Sequence, residues 1–153
     1  MEDTAVQILG SHRIMAISTV RPDGWPQTTI VGFANAGFLI YFVIFRASQK
    51  FANIQSDDRV SIAVGDEPAD MRLAKAVYAS ARASEVSDPI ERERAWRLLT
   101  QRHPNLVGTA MPDVSVTAMM RADCENLSVL DYSQGLGHTD ALNVTNWEEA
   151  PQN

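Results

Sequence analysis

Three side chains in the run Arg46-Ala47-Ser48-Gln49-Lys50 place a guanidinium, a hydroxyl and an ammonium within five residues. The run follows an apolar, strand-like stretch, Phe38 to Phe45, and opens a helical pattern from Ser48 to Ser56. A helix start offers unpaired backbone N–H groups and the positive end of the helix dipole, so amides, hydroxyl and cations together suit a phosphate. The chemistry expected of this corner is anion binding. The same residues would also serve as an ordinary capped helix start with solvated charges, and the run alone leaves both readings open.

Other reactive side chains point less sharply. His138 lies in Gly135-Leu136-Gly137-His138-Thr139-Asp140, where it could donate a proton to a ligand or simply satisfy turn backbone. Tyr132, at a strand end, could line a pocket or pack. His12 and His103 fall at helix ends, and three histidines so scattered predict no metal site. Cys124 stands between Asp123 and Glu125, which raise a thiol pKa and argue against a nucleophile. No GxSxG, phosphate-loop or paired-histidine motif occurs, and no catalytic residue is assigned.

Stepping outward, the elements that position these residues read mostly as strands. Thr4 to Ser11 has Ala5, Ile8 and Leu9 at helical spacing. Arg13 to Val20 alternates, with Ile14, Ala16 and Ser18 on one face and Met15, Ile17 and Thr19 on the other. Arg21-Pro22-Asp23-Gly24 is a strong turn, predicting a hairpin from Arg13 to Ala34 with Pro26 at the start of its second strand. An Asn35-Ala36-Gly37 turn leads into Phe38 to Phe45. Both faces of that strand are apolar, which predicts cover on both sides, inside a barrel or at a subunit interface.

Further strands are expected at Arg59 to Val64, Lys75 to Val86, Val114 to Arg121 and Asn126 to Tyr132, the last two parted by polar Ala122 to Glu125. In the long strand, Val77, Ala79, Ala81 and Ala83 form a small-residue face, fit either for a thin core or for a flat ligand. Asp88-Pro89-Ile90-Glu91 starts a helix to about Arg102, with Asp88 as N-cap, Glu91 closing a capping box and Ile90, Trp96, Leu98 and Leu99 in apolar contact. Short strands with hairpin signals predict a mainly β fold: a six- to seven-stranded antiparallel barrel with peripheral helices, in one domain over residues 1–142, followed by a polar tail, 143–153.

Composition narrows the function. Thirteen basic against 19 acidic residues give a net charge of −6 and a pI near 4.9, which excludes a broad basic face for nucleic acid. Any anion site must be local. One cysteine excludes a disulfide framework and fits a reducing cytoplasm. The longest apolar run is far short of the roughly 20 residues of a membrane helix, and an acidic start lacks the basic flank of a signal peptide.

In this order the motifs resemble the FMN-binding split barrel of the pyridoxamine 5′-phosphate oxidase-like family. The matched pieces are Ile17-Ser18-Thr19-Val20, the Asp23-Gly24-x-Pro26 turn, Tyr41-Phe42, Ser48-x-Lys50 and Arg59 to Val64, covering roughly residues 8 to 90. The resemblance implies an antiparallel split barrel and a homodimer holding FMN at the subunit interface. Ser48 and Lys50 would then contact the FMN phosphate, with Gln49 and Arg46 beside them. Gln27, Thr28 and Thr29 would reach the ribityl chain and pyrimidine edge, and Val43 and Ile44 would flank the ring. Tyr132 and His138 would stand on the substrate side.

The departures from the family pattern are informative. The vitamin B6 oxidases carry an Arg and, five residues on, a Lys on the second strand, and an Arg before the phosphate Lys; here these positions are Thr29, Ala34 and Gln49. Because that strand Lys serves substrate phosphate, Ala34 argues against pyridoxine phosphate as substrate. The ending Leu130 to Leu142 resembles the tail of a bacterial subgroup of the family. The resemblance leaves two functions: an FMN-dependent oxidoreductase, or a non-catalytic module binding flavin, deazaflavin or haem.

Overall fold

The structure, a computed structural model, describes residues 1–145 and Trp147. Helix α1 (Glu2–Gly10) leads into the hairpin of β1 (Ile14–Val20) and β2 (Pro26–Gly32). The turn between them is built as its residues demand: Gly24 sits at φ +88°, and the Asp23 carboxylate accepts from the Trp25 N–H at 3.1 Å and from Arg21 at 2.9 Å. Pro26 stands at the strand's first position, opposite Val20, where its missing N–H does least harm. The chain then breaks its ladder at Phe33 and changes partner. Strand β3 (Ala34–Ala36) pairs with β4 (Leu39–Phe45) instead of β1.

After β4 come α2 (Gln49–Ser56), β5 (Arg59–Gly65), β6 (Lys75–Glu85), α3 (Pro89–Arg102), β7 (Thr117–Asp131) and β8 (Thr139–Asn143). All pairings are antiparallel, in the order β2-β1-β5-β6-β7-β4-β3, with β8 also on β7. Because β3 follows β2 in the chain yet hydrogen-bonds at the far end of that order, the sheet must curl until its ends approach. Strands β2 and β4 come close but share no ladder. The result is a half-closed barrel with an open seam between β2 and β4.

Alternation decides what fills it. Met15, Ile17, Phe42, Ile62, Val77 and Met120 point inward and are nearly or fully buried, while α1 adds Ile8 and Leu9 and α2 adds Ile54. The small face of β6 belongs to this core rather than to a ligand: Ala79, Ala81 and Ala83 are all buried within it. The outer face of β4 is covered by α3, with Leu39 and Tyr41 packed against Ala95 and Leu99. Both apolar faces of β4 are thus covered by this chain's own elements, so that strand carries no argument for a subunit interface.

Four local expectations change. The barrel has eight strands, not six or seven. The two late strands are one continuous β7 of 15 residues, because Glu125 is bulged out between the pairs Ser80–Asn126 and Ala81–Cys124, and this lets the polar segment stay in the ladder. Past the glycine-rich loop, β8 continues the sheet, and Val144 and Trp147 pack on the core, the Trp147 indole donating to the Cys124 carbonyl at 2.6 Å. The packed body therefore extends beyond residue 142; residues 146 and 148–153 of the expected tail lie outside the described residues. In α3, Asp88 caps the Ile90 N–H as expected, but Ile90 is exposed and Glu91 closes no capping box. Glu91 instead accepts from the Tyr41 hydroxyl at 3.0 Å and from Arg121 at 2.7 Å.

Candidate functional site

The phosphate-type corner forms where β4 ends and α2 begins. Ser48 is the N-cap, in extended backbone (φ −75°, ψ 151°), and its Oγ donates to the Phe45 carbonyl at 2.7 Å while accepting from the Phe51 N–H at 3.3 Å. Its hydroxyl is therefore engaged in building the helix start. The N–H groups of Gln49 and Lys50, in the first turn, have no acceptor within the helix. Lys50 is half-buried and makes no ion pair among the described residues. A half-buried lysine in the first turn of a capped helix, whose first N–H groups lack helix acceptors, is the kind of feature that can hold an anion.

Arg46 does not add to that charge. Its guanidinium grips Glu85 of β6 through two hydrogen bonds, at 2.8 and 2.6 Å, donates to the Val114 carbonyl at 2.6 Å and stacks over the Phe51 ring at 5.6 Å. The Arg46 hydrogen bond holds the Glu85 carboxyl below its ordinary pKa, against the opposing effect of partial desolvation. Arg46 thus clamps the strand end to its neighbours and leaves Lys50 as the cation of this corner with no ion pair among the described residues.

Behind α2 lies a polar network that local periodicity does not predict. The fully buried Asn53 amide donates to Thr19 Oγ1 at 3.0 Å and to Gln27 Oε1 at 3.2 Å, and its carbonyl accepts from the Gln49 amide at 2.8 Å. These bonds fix α2 to β1 and β2 and turn the Gln49 side chain back toward Asn53. Glu85 was equally hidden. Asn53 had one weak signal, a polar residue next to the inward Ile54; nothing in the spacing couples residue 46 to residue 85.

The β2 residues divide by face. Gln27 and Thr29 point inward toward the seam side, whereas Thr28 points to the outer wall, bonded to Ser18 at 2.6 Å. Thr29 Oγ1 is buried and finds no partner, an unsatisfied hydroxyl that normally costs stability unless something else bonds it. Val43 and Ile44 divide likewise. Ile44 enters the barrel core and Val43 faces the α3 side, so the two do not flank one ring together. Beside them the seam keeps two unpaired edges: β2 on the side away from β1, and β4 beyond Tyr41, where β3 stops. Their free N–H and C=O groups are the backbone hydrogen-bonding surface that a flat heterocycle needs.

Tyr132 and His138 are not brought to this corner. Thr117, at one end of β7, pairs with Phe45, while Asp131, at the other, pairs with Lys75. Fourteen strand steps separate them, about 45 Å of chain at roughly 3.3 Å each. His138 is occupied by Asp140 at 3.0 Å, and the Tyr132 N–H donates to Ala74. Cys124 is fully buried, and burial first and Asp123 second push its thiol up to about 12, which keeps it in the weakly nucleophilic protonated form. Among the described residues no cluster of metal-binding side chains occurs, and no helix is long and apolar enough to cross a membrane.

The split barrel and the serine-capped, lysine-bearing turn after β4 coincide with a known family. The profile for pyridoxamine 5′-phosphate oxidase matches residues 1–129. The chain belongs to the pyridoxamine 5′-phosphate oxidase family. Solved structures agree on the fold at low identity. A haem-binding protein from Mycobacterium smegmatis superposes with a TM-score of 0.79 at 17% identity, over 93% of this chain and 57% of its own length. General Stress Protein 26 from Bacillus anthracis gives 0.72 at 17%, over 94% and 98% of the two chains. A FAD-binding protein from Mesorhizobium loti gives 0.65 at 21%, over 82% and 90%. No curated protein is similar enough in sequence to match. Structures with the pyridoxamine 5′-phosphate oxidase fold thus include flavin- and haem-binding proteins by name, and the residues at this chain's own corner must carry any choice between them.

Proposed function

We propose that this chain is an FMN-binding protein, acting as a homodimeric oxidoreductase on a small molecule other than pyridoxine phosphate. The observation that carries the reading is Lys50, without an ion pair among the described residues, at the capped start of α2 beside the open β2–β4 seam. The residues fit a flavin phosphate: Lys50 and the first N–H groups of α2 would hold it, with Ser48 keeping those groups aligned. Thr29 Oγ1 and the free edges of β2 and β4 would take polar groups of the ring and ribityl chain. Bound there, the flavin would supply the hydride chemistry, and the chain would bind, orient and exclude water.

Ala34 supports the exclusion of pyridoxine phosphate. It is fully buried against the α3 side, so position 34 itself offers no cation of the kind the vitamin B6 oxidases carry there for substrate phosphate. A second reading, a non-catalytic carrier of flavin, deazaflavin or haem, is favoured by the fold shared with a haem-binding protein and a FAD-binding protein. The two part on a simple experiment. The purified protein should be yellow or take up added FMN with a shifted flavin spectrum, and NADH or NADPH should bleach it anaerobically. Bound flavin that neither nicotinamide reduces favours the carrier, and a protein that binds no FMN removes both flavin readings. The cytoplasm is proposed as the compartment, in keeping with the single reduced cysteine.

A further inference from the structure

A recess of about 180 Å³ opens where α3 ends beside the seam, and none of the residues of the Lys50 corner line it. Gly32, the last residue of β2, and Val43 of β4 form one side. Trp96 and Leu99 of α3, His103 at its C-cap and Leu106 in the turn that follows form the other. The spacing 96, 99, 103 follows the helical repeat, so one face of α3 aligns all three. Pro104 then ends the helix, and a single 3₁₀ turn over Pro104–Leu106 folds Leu106 back onto the recess.

His103 is held at three points. Its N–H donates to the Leu99 carbonyl at 2.9 Å, its carbonyl accepts from the Leu106 N–H at 2.9 Å, and its Nε2 bonds the Phe33 carbonyl at 3.0 Å, where the β2 ladder breaks. A carbonyl can only accept, so Nε2 carries the proton of that bond. The other ring nitrogen, Nδ1, has no hydrogen-bond partner among the described residues. Gly32 makes room for the ring: a Cβ there would stand 3.1 Å from His103 Cε1. No Asp, Glu, Lys or Arg lines the recess.

We propose that this recess binds one uncharged aromatic ring carrying a hydroxyl, and that the hydroxyl donates to His103 Nδ1. The site is built from this chain's own residues and stands whether or not the Lys50 corner holds FMN. Size selects a single ring. An apolar cavity of about 150 Å³ takes benzene, whereas drug-sized ligands need about 300 Å³ or more, and 180 Å³ lies near the first. Trp96 contributes aromatic surface, on which a flat ring packs with favourable geometry. Polarity selects the substituent. One unmet ring nitrogen amid Val, Leu and Trp suits a hydroxyl, while a carboxylate would lose its hydration with no cation in the lining to replace it. Were His103 only a cap for the Phe33 carbonyl, ligand affinity would not depend on the hydroxyl.

The test titrates phenol, toluene and benzoate into the full chain, with and without FMN, and follows amide, indole and imidazole nitrogens by NMR. Phenol should move the signals of Gly32, Val43, Leu106 and the Trp96 indole together. It should bind about threefold to tenfold more tightly than toluene, the fold-change of one net hydrogen bond, and about tenfold or more tightly than benzoate. His103→Gln keeps a donor for Phe33 and has no acceptor at the Nδ1 position, so it should bring phenol down to the affinity of toluene. Should that variant unfold, the wild-type ratio of phenol to toluene and the phenol-dependent shift of His103 Nδ1 decide. Equal binding of phenol and toluene, an unmoved Nδ1, or shifts scattered over the surface overturns the site. Loss of phenol binding on saturation with FMN also overturns it, by making the recess part of the cofactor's own footprint. Phenol bound as expected by a protein that takes up no FMN supports this site and removes the flavin readings alone.

Discussion

The two sides of the barrel wall treat their outward residues in opposite ways. Under α3, the outer face of β4 is buried and its polar ends are closed within the chain: the Tyr41 hydroxyl meets Glu91, Glu91 meets Arg121, and Arg121 grips Asp123 at 2.8 and 3.0 Å. Across the barrel, the wall from β2 to β8 leaves its hydroxyls and amides exposed, and the adjoining seam leaves Lys50 and Thr29 without partners in the described chain. The first side is finished by its own sequence. The second is the side of the proposed cofactor, because that is where hydrogen-bonding capacity remains unused.

The largest effect should come from unfinishing the finished side. Leu99 is 4% exposed and holds α3 against β4, so Leu99→Ala should cost about 2–5 kcal/mol of unfolding free energy in urea. A cost below 1 kcal/mol would mean that α3 rests loosely and that β4's outer face is available to other partners. Lys50→Gln attacks the other side. It should leave the urea midpoint nearly unchanged and weaken FMN binding tenfold or more, from the loss of a charged hydrogen bond worth roughly 1.5–3 kcal/mol. Arg46→Gln is its control: with the guanidinium already held by Glu85, the FMN dissociation constant should rise less than threefold. If Arg46→Gln weakens FMN as much as Lys50→Gln does, the anion site includes the clamp.

Asn53 joins the two sides of this comparison, being fully buried yet placed behind the seam. Asn53→Leu strands Thr19, Gln27 and Gln49, and should cost about 1–3 kcal/mol of stability, since a buried polar group left unpaired loses its hydration without compensation. Retained FMN affinity in a stable Asn53→Leu protein would show that the orientation of α2 does not depend on the network.

What could be read in the sequence follows from how local each signal is. The β1–β2 hairpin, the helix start at Ser48 and the two faces of β6 were all legible, because turn chemistry and periodicity act over a few residues. So was the double cover of β4, although its agent was misplaced: α3 lies 44 residues after the strand it covers, and periodicity cannot say which element will cover a face. The bulge at Glu125 was hidden for a related reason. A polar run reads as a break unless the partner strand's register is known. At the candidate site, the placement of Lys50 in the first turn of α2 was legible from its local pattern, whereas the neutralisation of Arg46 by Glu85 and the separation of His138 from the corner depend on pairings between distant strands.

The smallest expected effect tests the finished side by titration. Burial first, and the hydrogen bond to Glu91 second, push the Tyr41 hydroxyl up to about 12. A raised pKa means that the fold favours the neutral phenol, so this contribution is whole below the ordinary tyrosine value of about 10 and is lost as pH rises toward 12. Wild type should therefore lose stability between pH 10 and 12 more steeply than Tyr41→Phe, which has no proton to give up there. At pH 8 the variant should cost about 1 kcal/mol, the net value of one buried hydrogen bond, because Arg121 still satisfies Glu91. Urea unfolding at pH 8, 10 and 11 makes the comparison. Parallel curves for the two proteins would mean that Tyr41 ionises without resistance, and that the wall beneath α3 is less closed than its burial implies.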